Sequence, residues 1–254
     1  MTLKSKLKKK QITIGSWITI GNNETAEIMA RSGFDWLCVD MEHSVIELQK
    51  AQDLIRIIEL CGCTPLVRVG ENNLTIIKRV MDAGSHGVIV PMVNSKEDCL
   101  KAVEALKYPP IGKRGVGLAR AQGYGFDLPK YKKWLQEESI LIVQIEHINA
   151  VNNLREILSI KEVDGFIVGP YDLSASIGKI GELNSIEMKS ILKEINKASK
   201  EMDVISGIHV IPPDPNQVLE RTKEGYRFIA FSLDSLILGY NCRTNITKIK
   251  QELK

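Results

Sequence analysis

Short apolar runs alternate with helical patterns along the whole chain. The runs cover 12–20, 35–40, 65–69, 87–93, 141–147, 165–170, 206–210 and 227–232. Several are apolar at successive positions instead of every second one, as in Leu141, Ile142 and Val143. Continuous apolarity marks strands buried on both faces, the situation of a parallel sheet covered by helices. Between the runs, Leu48, Ala51, Leu54, Ile55 and Ile58 recur at helical spacing and predict a helix over 46–61. Further helices are predicted over 23–32, 74–83, 95–106, 185–201, 215–224 and from Asp234 onward. Asn22 or Asn23 and Ser95 are N-cap residues for two of them, and Gly84 stops a third. Eight strands alternating with helices in 254 residues predict a TIM (β/α)8 barrel. An open doubly wound sheet fits less well, because no Gly-x-Gly-x-x-Gly follows the first run.

No linker rich in Pro, Gly or Ser divides the chain, so 1–254 is expected to be one domain. The basic cluster at 4–10 reads as a solvated N-terminal tail. The segment 107–128 carries two prolines (Pro109, Pro110) and five glycines, and a long loop of this kind is usually functional or disordered. A formal net charge of +3 gives no general argument for nucleic acid. Five cysteines, with only Cys61 and Cys63 close together, offer no zinc spacing and read as reduced thiols in a cytoplasm. No apolar run approaches the roughly 18 residues of a membrane span. No apolar stretch follows the basic residues closely enough for a secretory signal.

In a TIM barrel the reacting groups lie at the C-terminal ends of the strands. Polar residues break the apolar runs there: Asp40, Glu42 and His43 on the second, Arg68 on the third, Gln144 and Glu146 on the fifth, and Asp172 after the sixth. Glu146 and Asp172 are either the carboxylate ligands of Mg²⁺, Mn²⁺ or Co²⁺, or loop caps and lysine partners. His43, three residues after Asp40, is a general base or a structural imidazole, with His86, His147 and His209 as competitors. Arg68 is an oxyanion clamp or half of a structural ion pair. The stretch Gly169-Pro-Tyr-Asp-Leu-Ser-Ala-Ser176 is a carboxylate nest or a plain βα turn. Lys113 and Arg114 either meet a substrate acid group or belong to a solvated loop. No strand ends in a lysine, which counts against Schiff-base chemistry.

These residues carry a family resemblance. Val39-Asp-Met-Glu-His-Ser44, Pro65-Leu-Val-Arg-Val69, Gly87-Val-Ile-Val-Pro-Met-Val93, Arg114-Gly-Val-Gly117, Gln144-Ile-Glu146 and the 169–176 stretch resemble, in order, the metal-dependent class II pyruvate aldolases of the HpcH/HpaI type. The resemblance implies a barrel of the phosphoenolpyruvate/pyruvate superfamily. It implies reversible cleavage of a 4-hydroxy-2-oxo acid, of the 2-keto-3-deoxy sugar acid or 2,4-dihydroxyhept-2-enedioate kind, to pyruvate and an aldehyde. It places the metal on Glu146 and Asp172 and the enolate oxygen on Arg68. It makes His43, through a metal-bound water, the base, with Asp40 or Asp82 orienting it. It puts Gln144 in contact with the site and the substrate carboxylate on the backbone of Tyr171 and Asp172. It also implies a homo-oligomer, a hexamer as a trimer of dimers that exchange a C-terminal helix. Met41 and Tyr171 depart from the family's usual glycine and alanine beside the pocket. Segment 114–125, with Arg120, Gln122 and Tyr124, resembles the branch acting on sugar-derived keto acids. The competing readings are a citryl- or malyl-CoA-type lyase on the same fold, and a catalytically silent barrel used as a binding module.

Overall fold

The computed structural model describes residues 1–253, and in it the eight runs close into one parallel barrel in sequence order. The chain begins with α1 (Leu3–Lys8), β1 (Thr13–Ile18), α2 (Asn23–Ala30), β2 (Trp36–Asp40), α3 (Leu48–Leu60), β3 (Thr64–Arg68), α4 (Leu74–Asp82) and β4 (Gly87–Val90). It continues with α5 (Lys96–Leu106), a 3-10 turn (Arg120–Gly125), α6 (Leu128–Glu137), β5 (Ile140–Ile145), α7 (Ile148–Asn152), α8 (Leu154–Leu158) and β6 (Gly165–Val168). It ends with α9 (Pro170–Ser176), α10 (Ile186–Met202), β7 (Ser206–Val210), α11 (Pro215–Glu224), β8 (Phe228–Leu233) and α12 (Asp234–Glu252). β8 pairs with β1 to close the ring, and the register slips between Gly15 and Trp17.

Two apolar cores follow from this closure. One lies between the strands and the helices and includes Leu54, Ile55, Ile58, Val80, Leu141 and Val143. The other fills the barrel itself, where Trp36 stacks on Phe228 with centroids 4.2 Å apart. Gly15 is required beside them, because a Cβ at that position would fall inside the Trp36 ring.

The basic segment at 4–10 is not a solvated tail. Leu3 and Leu7, four apart, share one face of α1 and are 3% exposed in the inner core, so the helix plugs the N-terminal end of the barrel. Lysines of the helix and of the turn after it reach aspartates that precede three different strands: Lys4 pairs with Asp164, Lys6 with Asp35 and, beyond the helix, Lys10 with Asp203. The same Asp35 and Asp164 accept the backbone N–H groups of Ile14 and Leu141, at 2.8 and 2.9 Å. Lysines at four-residue scale read as polar only because their partners are remote in sequence. Leu7→Ala is expected to cost about 2–5 kcal/mol. The check is a lowered Tm with kcat retained, because the plug lies at the opposite end from the strand C-termini; a Tm equal to wild type would put α1 outside the core.

The segment 107–128 also lies at the N-terminal end, since α5 carries the chain back there before β5 begins. Gln122 donates to Asp82 at 3.0 Å and to the Tyr108 hydroxyl at 2.9 Å. Arg114, whose side chain is fully buried, donates to Asp82 at 2.6 Å and to the Tyr131 hydroxyl at 2.9 Å. Neither a substrate contact nor a solvated loop describes it: Arg114 is a buried strut bonded through both terminal nitrogens of its guanidinium. Lys113 pairs with Glu104 at 2.8 Å on the surface. α12 leaves the barrel; from Ser235 to Leu253 none of its residues is buried. All five cysteines are free, and no helix among the described residues is long and apolar enough to cross a membrane.

Candidate active site

The C-terminal ends of β2 and β3 hold a buried ion pair. Asp40 and Arg68 face each other in register, and the guanidinium grips the carboxylate twice, Nε to Oδ1 at 2.9 Å and Nη2 to Oδ2 at 2.6 Å. Burial would raise the Asp40 pKa, but the hydrogen bonds and charge of Arg68 outweigh it and hold the carboxyl below its ordinary value. Asp40 Oδ1 also accepts the backbone N–H groups of Glu42 and His43, at 3.0 and 3.3 Å, so it shapes the turn that carries both. Arg68 is completed by the Trp17 ring, with Cζ 4.4 Å from the centroid.

Glu42 Oε2 lies 3.1 Å from Arg68 Nη1, out of line for a hydrogen bond, and is buried without a partner among the described residues. Burial raises its pKa to about 7; Asp40 and Asp172 push the same way, against Arg68. His43 stands with its ring 3.7 Å from this carboxylate and 63% exposed.

β5 and β6 supply the second half. Gln144 and Glu146 are both 3% exposed. Met92 donates its N–H to Glu146 Oε1 at 2.7 Å, and Gln144 Nε2 donates to Oε2. Met92 holds this position with φ +52°, a strained conformation for a non-glycine residue and the kind that collects at functional sites. Burial raises the pKa of Glu146, with Glu42 and Asp172 adding repulsion. Gly169 leaves room for this carboxylate, since a Cβ there would stand 3.0 Å from Glu146 Oε2. Gly169 brings no capping side chain to α9, so the N–H groups of Tyr171 and Asp172 are left open beside the cavity.

The two halves line one cavity of about 250 Å³, walled by Arg68, Gln144, Gly169, Tyr171, Asp172, His43, Trp17 and His209. A cavity of about 330 Å³ at the other end contains His86 and Arg120, but Glu59 pairs with both of them. Of the residues expected at the mouth, His43, Arg68, Gln144, Tyr171 and Asp172 line the 250 Å³ cavity, and Asp40 and Glu146 lie behind it, bonded to Arg68 and Gln144. Asp82 does neither: it ends α4 at the N-terminal side, bound to Arg114 and Gln122. Asp40 does not orient the His43 ring either, because Arg68 occupies its carboxylate. His147 is an N-cap, accepting from Asn149 at 3.1 Å through Nδ1.

Two mouth residues had no assigned role in the sequence, Glu42 and Trp17, and His209, a competitor of His43 there, joins them. His209 donates to the Ser232 carbonyl at 3.1 Å, which places its proton on Nε2, because a carbonyl only accepts. Burial lowers its pKa to about 4, with the Arg68 charge adding to it, so the ring is neutral at neutral pH and a weak proton acceptor.

Among the described residues, no three His, Cys, Asp or Glu side chains converge to enclose a metal. Two carboxylates with open neighbouring positions nonetheless suit Mg²⁺ or Mn²⁺, which take few protein ligands and fill the rest with water and substrate. The electrostatics agree. Glu42, Glu146 and Asp172 repel one another around a single, already engaged arginine, and Gln144 Oε1 and Glu42 Oε2 are buried acceptors without donors.

A closed parallel barrel whose mouth joins two carboxylates to a fixed arginine is a barrel enzyme equipped to stabilise an oxyanion. Residues 13–238 match the HpcH/HpaI aldolase/citrate lyase family model, and the chain belongs to that family. It is 34% identical over 253 residues to the hydroxypyruvate/pyruvate aldolase of Roseobacter denitrificans, covering 98% of this chain and 97% of that one. It is 34% identical to the 2-dehydro-3,6-dideoxy-6-sulfogluconate aldolase of Pseudomonas putida, covering 91% and 90%. A solved HpcH/HpaI aldolase/citrate lyase family protein from Burkholderia cenocepacia superposes with a TM-score of 0.93 at 29% identity, covering 98% of each chain.

Proposed function

We propose that the chain is a divalent-metal-dependent class II pyruvate aldolase, cleaving a 4-hydroxy-2-oxo acid reversibly to pyruvate and an aldehyde. The observation that carries the reading is one cavity lined by Asp172 and the Asp40-held Arg68, with Glu146 directly behind its wall residues Gln144 and Gly169. Aldolases among the relatives, one of them named for pyruvate, support it. Glu146 and Asp172 would hold the cation, and Mg²⁺, Mn²⁺ or Co²⁺ there would supply a Lewis acid for the oxygens of the 2-oxo acid. The open N–H groups of Tyr171 and Asp172 bind the substrate carboxylate, and Gln144 holds Glu146 in place. His43 takes the proton of the C4 hydroxyl as the C3–C4 bond breaks and its electron pair passes into the enolate. Arg68 offers its charge where the enolate oxygen becomes negative, and Asp40 keeps the guanidinium from moving away.

The same reading makes the protein a homo-oligomer, a hexamer as a trimer of dimers exchanging α12. The lack of any buried side chain in α12 beyond Asp234, with residues 240–252 all exposed, supports an exchange. Within one chain Asp82 is at the wrong end, so any contact of Asp82 with His43 has to come from a second copy. Five free cysteines support a reducing, cytoplasmic setting. The test is pyruvate release from a short 4-hydroxy-2-oxo acid, with EDTA and after readdition of Mn²⁺ or Mg²⁺. Release that stops with EDTA and returns with metal is expected. Release indifferent to EDTA refutes the metal assignment, and no release at all turns the reading toward a CoA-ester lyase or a silent barrel.

A further inference from the structure

One wall of the mouth cavity is not used by the bond-breaking chemistry. Trp17, Ile211 and Leu233 make it apolar, and His209 at the end of β7 stands among them. The His209 ring is held from two sides. Nε2–H is tied to the Ser232 carbonyl at 3.1 Å, and the Trp17 ring packs against it edge-on with centroids 5.6 Å apart. With Nε2 carrying the proton, Nδ1 is an acceptor. No group among the described residues donates to it, and the ring borders the cavity.

The anchor of this ring is itself built. Ser232 adopts φ +52°, and its hydroxyl donates to the Ile211 carbonyl at 2.9 Å. Ser16 on β1 donates to the neighbouring Phe231 carbonyl at 2.8 Å. Strain in a non-glycine residue at a site mouth is held only where surrounding bonds enforce it. The strained carbonyl here fixes one imidazole tautomer and aims one lone pair. A ring that only filled space would need neither.

We propose that His209 is a specificity-determining residue whose Nδ1 accepts a hydrogen bond from a hydroxyl group of the substrate, so that hydroxylated substrates are selected over their deoxy counterparts. The inference deepens the aldolase reading and rests on it. A deoxy substrate in the same place drives water from Nδ1 and leaves a buried acceptor unpaired, which is the physical basis of discrimination by a missing hydroxyl. The remaining wall offers the deoxy compound only ordinary apolar contact. The hydroxyl belongs either to C3 of the 2-oxo acid half or to the aldehyde half beyond C4, and the two sources can be separated.

The test compares two pairs of compounds on wild type, His209→Leu and His209→Gln, with Mg²⁺ present. Hydroxypyruvate against pyruvate, as donors in aldol addition to one common aldehyde, reports a hydroxyl on the oxo acid. 4,5-Dihydroxy-2-oxopentanoate against 4-hydroxy-2-oxopentanoate, in the cleavage direction, reports a hydroxyl on the aldehyde half. The readout is the ratio of kcat/KM within each pair. In wild type one ratio is expected to favour the hydroxylated member, and His209→Leu should lower that ratio about tenfold. His209→Gln, which keeps an acceptor, should recover part of it. A ratio unchanged in His209→Leu, or an equal fall for both members of each pair, overturns the proposal and leaves His209 structural. Should wild type turn over none of these compounds, the aldolase reading fails separately. Calorimetric titration of the same four compounds, then free of turnover, decides His209: a hydroxyl preference lost in His209→Leu supports it, and no preference in wild type overturns it.

Discussion

Glu146→Gln is expected to lower metal-supported pyruvate release by about 10³-fold or more, since a Lewis acid at an enolate supplies several kcal/mol of transition-state stabilisation. The substitution is nearly isosteric. Its effect on the apoprotein should be small or favourable, because the wild-type carboxyl is buried beside two other carboxylates, Glu42 and Asp172. The pH dependence carries the argument further. Glu42 and Glu146 both have folded-state pKa values raised above the ordinary 4.5, Glu42 to about 7. At these two carboxyls the folded apoprotein binds more protons than the unfolded chain, so their contribution to stability is lost as pH rises from 4.5 toward 7, while His209, with its pKa lowered to about 4, contributes in the opposite sense. A divalent cation favours the ionised carboxylates and should flatten that slope. Tm measured at pH 5 and pH 7.5, with and without Mn²⁺, is expected to show a stabilisation by Mn²⁺ that is larger at pH 7.5 than at pH 5. Glu146→Gln should show a weaker slope and little response to Mn²⁺. A Glu146→Gln protein that still gains Tm from Mn²⁺ and still releases pyruvate would remove Glu146 from the metal site.

The barrel was legible in the chain because parallel strands covered on both faces leave continuous apolar runs. All eight were found, and the helix at 215–224 coincides with α11. α1, α7, α8 and α9 were not found, since helices of five to seven residues complete too few turns to show a period, and the ten-residue α6 was missed as well. Glu146 and Asp172 were visible because a carboxylate that ends an apolar run needs a reason to be there. What sequence order hides is which end of the barrel a residue occupies once its chain has turned back. Asp82 reads as a mouth residue by resemblance and Arg114 as a substrate contact or a solvated loop residue, and the two lie together under the barrel instead. Lys4, Lys6 and Lys10 looked like a charge run, because Asp164, Asp35 and Asp203 are near them only in three dimensions. His209 and Trp17 sit inside apolar runs, where nothing in the composition separates a cavity wall from a core position.

Replacing Arg68 by methionine should damage fold and chemistry together, and a second substitution should separate them. The side chains of Arg68 and Asp40 are 11% and 2% exposed, so removing the guanidinium strands a buried carboxylate. Breaking a buried pair from one side costs about 3–5 kcal/mol, which corresponds to a Tm lower by roughly 10 °C in a chain of this size. The pH response should also change sign. In wild type, Asp40 has a lowered folded pKa and contributes stability that is present above its unfolded value of 3.8 and is lost in more acidic solution. Without Arg68 only burial acts strongly on it, its folded pKa rises above 3.8, and stability is lost as pH increases through that region. Asp40→Asn added to Arg68→Met removes the stranded charge and should recover most of the lost Tm. It cannot restore a positive charge opposite the enolate, so kcat should stay about 10²–10³-fold below wild type, the range of a lost oxyanion donor. Arg68→Lys should fall between, since an ammonium keeps the charge and loses the two-pronged grip on Asp40. Thermal unfolding and steady-state kinetics on the four proteins complete the cycle. A double variant that regained both Tm and kcat would show that Arg68 serves the fold alone, and the stabilisation of the enolate would have to be sought elsewhere in the mouth.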